Sequence, residues 1–383
     1  MRIGIDARFY GEAGPGRYVK NIIEHLENID NENEYIIFLR KKVFDEFVPK
    51  NNRTKKILAD YKWYSWGEQL GFLFLVIKQK LDLFYVPHFN IPTLYPGKLV
   101  CAIPDIIMHK FSTERGTTLF KPYFKLKKIV YKFVVKTAVR KSCKVIVPSR
   151  DVANDFINTF KNINKDKYVI SYEGIDPIFN AEKNINIQNE KEVLDKYNIK
   201  KPFLLYISSM YEHKNVLRLI EAFNILVKEK EFTGQLVLVG KDDRYSRDIS
   251  EKIIMMGLKD KIIFPGHINY ISDEETIVMR RNALIYVFPS LKEGFSLTPL
   301  EAQHYSLPCA ISEIPCHKEI YGESVLYFNP LDIEDMANKI YMLIKDDDLR
   351  KEYIARGQKN IKKYSWFNTA KDTLDVFKGC VSI

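Results

Sequence analysis

Short apolar runs recur along this chain, each followed by a polar turn and then by apolar positions three and four residues apart. Residues 2–7, 35–39, 83–86, 99–103, 144–147 and 168–172 are runs of this kind, rich in β-branched and aromatic side chains, and they read as buried strands. Val19, Ile22, Ile23 and Leu26 fall on one helical face after the first run. A second set of strands is predicted at 203–208, 236–239, 261–264, 284–288 and 307–311, with helices between them, including one over 216–227. Strands that alternate with helices build parallel sheets covered on both faces, and ligands bind such sheets at the carboxyl ends of the strands. The predicted fold class is therefore α/β, with two Rossmann-like doubly wound domains.

The division follows from the gap between the two sets. Residues 1–178 make the first domain, and 179–200, rich in Asn, Lys and Glu without apolar period, make a linker or solvated helix. Residues 201–363 make the second domain, and 364–383 hold a final helix from Trp366 to about 376, where Trp366 reads as packing. No internal repeat or low-complexity tract appears.

Composition changes this picture little. The chain has 383 residues, 46% of them hydrophobic and 28% charged, with a formal net charge of +10; these are values of a soluble globular protein with two cores. The positive balance points to an anionic partner (a phosphate substrate, a membrane surface or nucleic acid) or to a Lys-rich proteome, and composition does not separate these. Five cysteines without a CxxC pair argue for a reducing compartment and against a zinc site. The charged start MRIGIDARF predicts a cytoplasmic protein without a signal peptide, and no apolar run reaches membrane-spanning length. A helix predicted over 117–141 interleaves Lys121, Lys125, Lys127, Lys128, Lys132, Lys136, Arg140 and Lys141 with apolar residues. It is either a packed helix with a solvated face or a basic helix lying on an anionic membrane. Nucleic acid is the poorer reading, since no recognition motif accompanies the charge.

Chemistry concentrates in LIYVFPSLKEGFSLTPLEAQHY, residues 284–305. A strand leads through Pro289-Ser290 and Glu293-Gly294 to Thr298-Pro299-Leu300-Glu301, which has the composition of a helix start with Thr298 as N-cap. Free amides and the helix dipole at such a start favour an anion. Glu293 and Glu301 bracket the loop. Spacing alone leaves two readings: a pair of ligand-holding carboxylates, or a solvated loop charge and a capping-box partner of Thr298. Elsewhere, Lys214 precedes the 216–227 helix, Gly240 ends the next strand, and Gly11, Gly14 and Gly16 read as a flexible loop before the first helix. Ser149 reads as a helix cap.

The segment Pro-Ser-x-x-Glu-Gly-Phe-x-Leu-x-Pro-Leu-Glu-Ala at 289–302 resembles the Glu-x7-Glu signature of retaining glycosyltransferases of family 4. That resemblance implies a GT-B fold, in which two Rossmann-like domains face a central cleft and the last helix crosses back to the first domain. It implies that Glu301 holds the ribose of a nucleotide-sugar donor, that Glu293 faces the transferred sugar, and that Gly294, Phe295, Ser296 and Leu297 present amides to the sugar and diphosphate. Tyr211-Glu212-His213-Lys214-Asn215 is similar to the Tyr-Pro-His-Lys-Asn element of mannosyltransferase-like members, which assigns Lys214 to the diphosphate. Gly14-Pro15-Gly16-Arg17-Tyr18 resembles the family's Gly-Ile-Gly-Arg-Tyr loop, which places Gly16 and Arg17 near the donor phosphates. Phe264-Pro265-Gly266-His267 resembles a base-contacting loop, and Glu173-Gly174-Ile175-Asp176 the segment that closes the first domain.

Two departures stand out. The family's His-Asp loop reads Pro104-Asp105 here, which leaves Asp105 as the acceptor-side catalytic candidate, with His88 and His109 as alternative imidazoles. Ser208 stands where the family has Gly. The resemblance implies a metal-independent hexosyltransferase without cofactor, taking a GDP- or UDP-linked sugar to a saccharide or lipid-linked acceptor of cell-surface polysaccharide, at the inner face of the plasma membrane. The departures leave a second expectation: a catalytically impaired nucleotide-sugar-binding subunit.

Overall fold

The computed structural model describes residues 1–12, 14–110, 121–180 and 190–382. The described residues divide into two compact units: 1–110, 121–176 and 364–382 form one, and 177–180 and 190–363 the other.

The first unit holds a seven-stranded sheet: β1 (Arg2–Asp6), β2 (Glu34–Leu39), β3 (Thr54–Leu58), β4 (Leu83–Val86), β5 (Leu99–Ala102), β6 (Lys144–Val147) and β7 (Tyr168–Ile170). Its order is β3-β2-β1-β4-β5-β6-β7, parallel throughout. Central strands such as LFYV of β4 are buried at every position because helices cover both faces. One face carries Phe38, Phe84, Val86 and Val145 under the Leu73–Lys78, Lys121–Lys141 and Arg150–Thr159 helices. The other carries Ile3, Ile5, Tyr85 and Val100 under the Gly14–Ile29 and Trp366–Val381 helices.

The second unit holds β8 (Phe203–Ile207), β9 (Gln235–Val239), β10 (Ile262–Ile263), β11 (Ile285–Phe288), β12 (Cys309–Ser312) and β13 (Leu326–Phe328), in the order β10-β9-β8-β11-β12-β13. These are the two Rossmann-like parallel sheets that the alternation predicts. Both run outward from their first strand in two directions, so each has a switch point, between β1 and β4 and between β8 and β11.

Several expectations change. β3 and β13 were not anticipated: TKKIL puts lysines on an exposed sheet edge, and LYF is only three residues long. The helix after β1 begins at Gly14, so Gly14 and Gly16 lie in its first turn rather than in a loop. A side chain at Gly16 would meet the Phe9 carbonyl oxygen at 2.6 Å. The 117–141 helix is described from Lys121, and 117–120 lie outside the described residues, as do 181–189 of the expected linker, which ends in the Glu190–Lys196 helix. All five cysteines are free thiols.

Candidate functional site

The loops after β8 and β11 leave the second sheet at its switch point and are laced together. Asn215 takes a left-handed conformation (φ 61°), and its side-chain amide donates to the Pro289 carbonyl at 3.0 Å and the Pro330 carbonyl at 2.7 Å. The Leu291 amide donates to the His213 carbonyl at 2.7 Å. This lacing brings the Lys214 Nζ to 2.7 Å from Glu293 Oε1, with the Phe288 ring 5.5 Å from the ammonium. Both side chains are nearly buried (13% and 8% exposed). Burial pushes the Glu293 carboxyl up, but the Lys214 ammonium and the Ser290 hydroxyl outweigh it and hold the group below the usual carboxylate range. The site therefore contains a fixed ion pair at neutral pH.

Gly294, Phe295 and Ser296 continue this loop and are buried. Ser296, the N-cap of the Leu297–His304 helix, sits at φ 74° and its side chain caps nothing. Thr298 is thus inside the helix, not its N-cap. What fixes Ser296 instead is a buried histidine. His317 Nδ1 lies 2.8 Å from the Ser312 carbonyl, so it carries the proton, and Nε2 accepts from the Ser296 hydroxyl at 3.0 Å. Burial lowers the His317 pKa to about 4, which keeps the ring neutral and able to accept. The Tyr321 hydroxyl donates to the Ser296 carbonyl.

Glu301 belongs to no capping box. It forms a buried ion pair and hydrogen bond with Arg280 from the Asp273–Asn282 helix; Arg280 also donates to Thr276 Oγ1 at 2.7 Å and lies over the Phe179 ring at 5.1 Å. Arg280 and His317 escaped the sequence reading because each meets the motif across the fold, 21 residues from its partner.

Gly240 lies where β9 ends. A Cβ there would meet the Ser208 carbonyl at 2.7 Å, and one at Gly266 would meet the Gly240 carbonyl at 2.0 Å, so two backbone loops approach closely only because both are glycine. His267 stacks on Phe264 at 4.2 Å and meets the Ser246 hydroxyl at 3.0 Å.

The first unit holds the remaining candidates. Arg17 lies half-buried in the first helix, its carbonyl accepting from Asn21 at 2.9 Å. Asp105, after β5, accepts from the Ile107 amide at 2.8 Å. His88 is packed between Phe9 and Phe89 (4.4 and 4.0 Å) and accepts from the Asn90 amide at 3.2 Å. Burial, and then Arg8, lower its pKa to about 3. His109 meets the Tyr131 hydroxyl at 3.0 Å, and burial followed by Lys132 and Lys128 lowers its pKa. Both imidazoles are engaged in packing. A residue the sequence reading did not single out as chemistry, Glu173, is buried after β7; burial and then the Asp105 carboxylate push its pKa up to about 7.

The arrangement in the second unit can oppose a cation and a carboxylate at a strand switch point and present loop amides beside them. Residues 188–360, which contain all of it, match the family Glycosyl transferases group 1. Similar sequences include O-antigen chain mannosyltransferase B of Escherichia coli, 29% identical over 49% of this chain and 48% of that protein. Serotype-specific mannosyltransferase WbdA of Escherichia coli is 27% identical over 74% of this chain and 33% of its own length. O-antigen chain mannosyltransferase RfbU of Salmonella typhimurium is 22% identical over 84% and 80%. The chain thus spans about half of the first relative and a third of the second. Among solved structures, sucrose-phosphate synthase of Thermosynechococcus elongatus has the same fold, with a TM-score of 0.75 at 16% identity over 100% of this chain and 99% of that one.

Proposed function

We propose that this protein, whose residues 188–360 match the family Glycosyl transferases group 1, is a retaining, mannosyltransferase-like enzyme of cell-surface polysaccharide assembly. It takes a hexose, mannose first among the candidates, from a GDP- or UDP-linked donor to a hydroxyl of a saccharide or lipid-linked saccharide. The observation that carries this reading is the Lys214–Glu293 ion pair at the switch point of the second sheet.

The bond that breaks joins the anomeric carbon to the diphosphate oxygen, and the bond that forms joins the same carbon to the acceptor oxygen on the same face. Negative charge builds on the departing diphosphate. Lys214 and the amides of Gly294 to Leu297 meet it, an electrostatic environment set before reaction begins. Glu293 holds Lys214 in place and faces the sugar. Glu301, fixed by Arg280, accepts the ribose hydroxyls, and Gly240 lets the base approach the backbone. Gly16 and Arg17 are further donor-binding candidates. A departing phosphate oxygen takes the acceptor proton, and Asp105 orients the acceptor. In this reading no divalent cation is required.

The test is a panel of nucleotide sugars assayed with lipid-linked and free saccharide acceptors. Transfer from one donor is expected, unchanged by a chelator. Lys214→Ala is expected to lower kcat by at least about a hundredfold, the range for losing one preorganised transition-state contact. Full activity in that variant would refute the role of Lys214. No transfer from any donor, with binding intact, would favour a binding subunit instead.

A further inference from the structure

The first unit carries an apolar surface that its own fold does not use. Gly67–Phe72, wound as a π-helix, runs directly into the Leu73–Lys78 α-helix. One side of this segment buries Glu68, Phe72, Leu73 and Val76, and Glu68 is anchored to buried Arg8 at 2.8 Å. Its opposite side is also apolar. Trp66 is 82% exposed and Phe74 68%, with Leu70 and Ile77 also exposed, at spacings of four, four and three. A helix apolar on both faces is ordinarily buried on both.

The exposed stripe continues on neighbouring elements. Gln69 donates to the Ile91 carbonyl at 3.1 Å and accepts from the Thr93 amide at 2.8 Å, which holds exposed Leu94 next to this helix. The Lys121–Lys141 helix packs into the same face of the seven-stranded sheet through Tyr131, Val134, Val135 and Ala138. Its outward side alternates Ile129 and Phe133 with Lys132 and Lys136, and the helix has no acidic residue. By contrast, on the opposite face of the sheet the Gly14–Ile29 and Trp366–Val381 helices expose only Phe367 among their large apolar side chains.

We propose that this helix-covered face of the first unit docks on an anionic lipid bilayer, with Trp66 and Phe74 entering the interface and Lys127, Lys132 and Lys136 meeting the headgroups. The combination selects the occupant. A second copy of this chain would cover the apolar stripe but set one lysine row against another. An anionic bilayer takes both, and tryptophan favours the boundary where one end of the ring is apolar and the other wet. Among the described residues no helix is long and apolar enough to cross a membrane, so the contact lies in the plane of the interface. The inference does not depend on the sugar chemistry proposed above.

Flotation with vesicles of phosphatidylcholine, with and without phosphatidylglycerol, tests it. The full chain is expected to float with the anionic vesicles and to lose that partition on removing phosphatidylglycerol. Its tryptophan emission should shift to the blue on binding, reported by Trp66, because Trp63 is stacked on Phe9 at 4.3 Å and Trp366 is buried. The double variant Trp66→Ser/Phe74→Ser should weaken vesicle binding by roughly tenfold or more, the loss expected for apolar area withdrawn from the interface. Lys132→Glu/Lys136→Glu should abolish the dependence on anionic lipid. All four side chains point outward, so unchanged circular dichroism and nucleotide binding would show that only docking had changed. Vesicle binding undiminished in both variants would overturn the proposal. So would a lipid-free dimer that the Trp66/Phe74 variant dissociates, which would assign this face to a second copy.

Discussion

Glu301 and Arg280 neutralise each other where neither is reached by more than a trace of solvent, and that coupling governs how Glu301 can be tested. Truncating Glu301 to Ala leaves a buried guanidinium uncompensated, at a cost of about 3–5 kcal/mol in stability before any ligand is added. Glu301→Gln keeps an oxygen for Arg280 and removes the charge that the ribose hydroxyls would meet. Under the proposed function it should weaken nucleotide binding by about 1.5–3 kcal/mol, the range for hydrogen bonds to charged groups, read by isothermal titration. Unchanged affinity would remove Glu301 from the donor site. The two glutamates could be singled out in the sequence because they and the glycine loop lie within one short stretch. Arg280 and His317 could not, because what makes them matter is a tertiary distance. Thr298 misled for a related reason: its sequence has the composition of a helix cap, but the His317–Ser296 bond and the Tyr321 hydroxyl fix the chain one turn edge earlier, at Ser296.

At the scale of elements, a parallel sheet gathers at one edge whatever its strands lead into. β5 leads to Asp105 and β7 to Glu173, and the sheet brings these two carboxylates into each other's field. Burial first, and Asp105 second, raise the Glu173 pKa to about 7, above its value of roughly 4.3 in an unfolded chain. The folded protein therefore holds a proton that the unfolded chain releases. Stability from this group is fully present below about pH 4.3, declines as pH rises, and is lost above about pH 7. Glu173→Gln should match the parent protein near pH 4 and exceed it at pH 8 by on the order of 3–4 kcal/mol, read from denaturant midpoints at the two values. An equal difference at both would disconnect Glu173 from titration. The sequence reading noted Glu173 only as part of a closing segment. A carboxylate in a short polar turn gives no sign that it will be buried, and the chain that closes on its neighbour comes from far along the sequence: the Trp366 backbone nitrogen lies 2.3 Å from where a Gly174 Cβ would be.

Across the whole molecule, two sheets of the same winding were legible because alternating apolar runs and helical periods survive in almost every segment. The edge strands β3 and β13 were not, since an edge tolerates lysines and three residues suffice. The chain order conceals one long-range dependence: the last helix completes the first unit, not the second. Trp366, Ala370, Leu374 and Phe377 bury into the core with Ile3, Ile5 and Tyr85, and the Phe377 ring meets Tyr85 edge-on at 5.0 Å. Phe377→Ala should therefore cost the first unit about 3–5 kcal/mol, the range for deleting a buried aromatic. In calorimetry the two units should unfold in separable steps, and only one midpoint should fall, by on the order of 10 °C for a unit of this size. The step stabilised by added nucleotide should keep its midpoint in the variant, because the Lys214–Glu293 pair and the Glu301–Arg280 pair both lie in the second unit. If both midpoints fell together, the last helix would be supporting the whole chain rather than the first sheet alone.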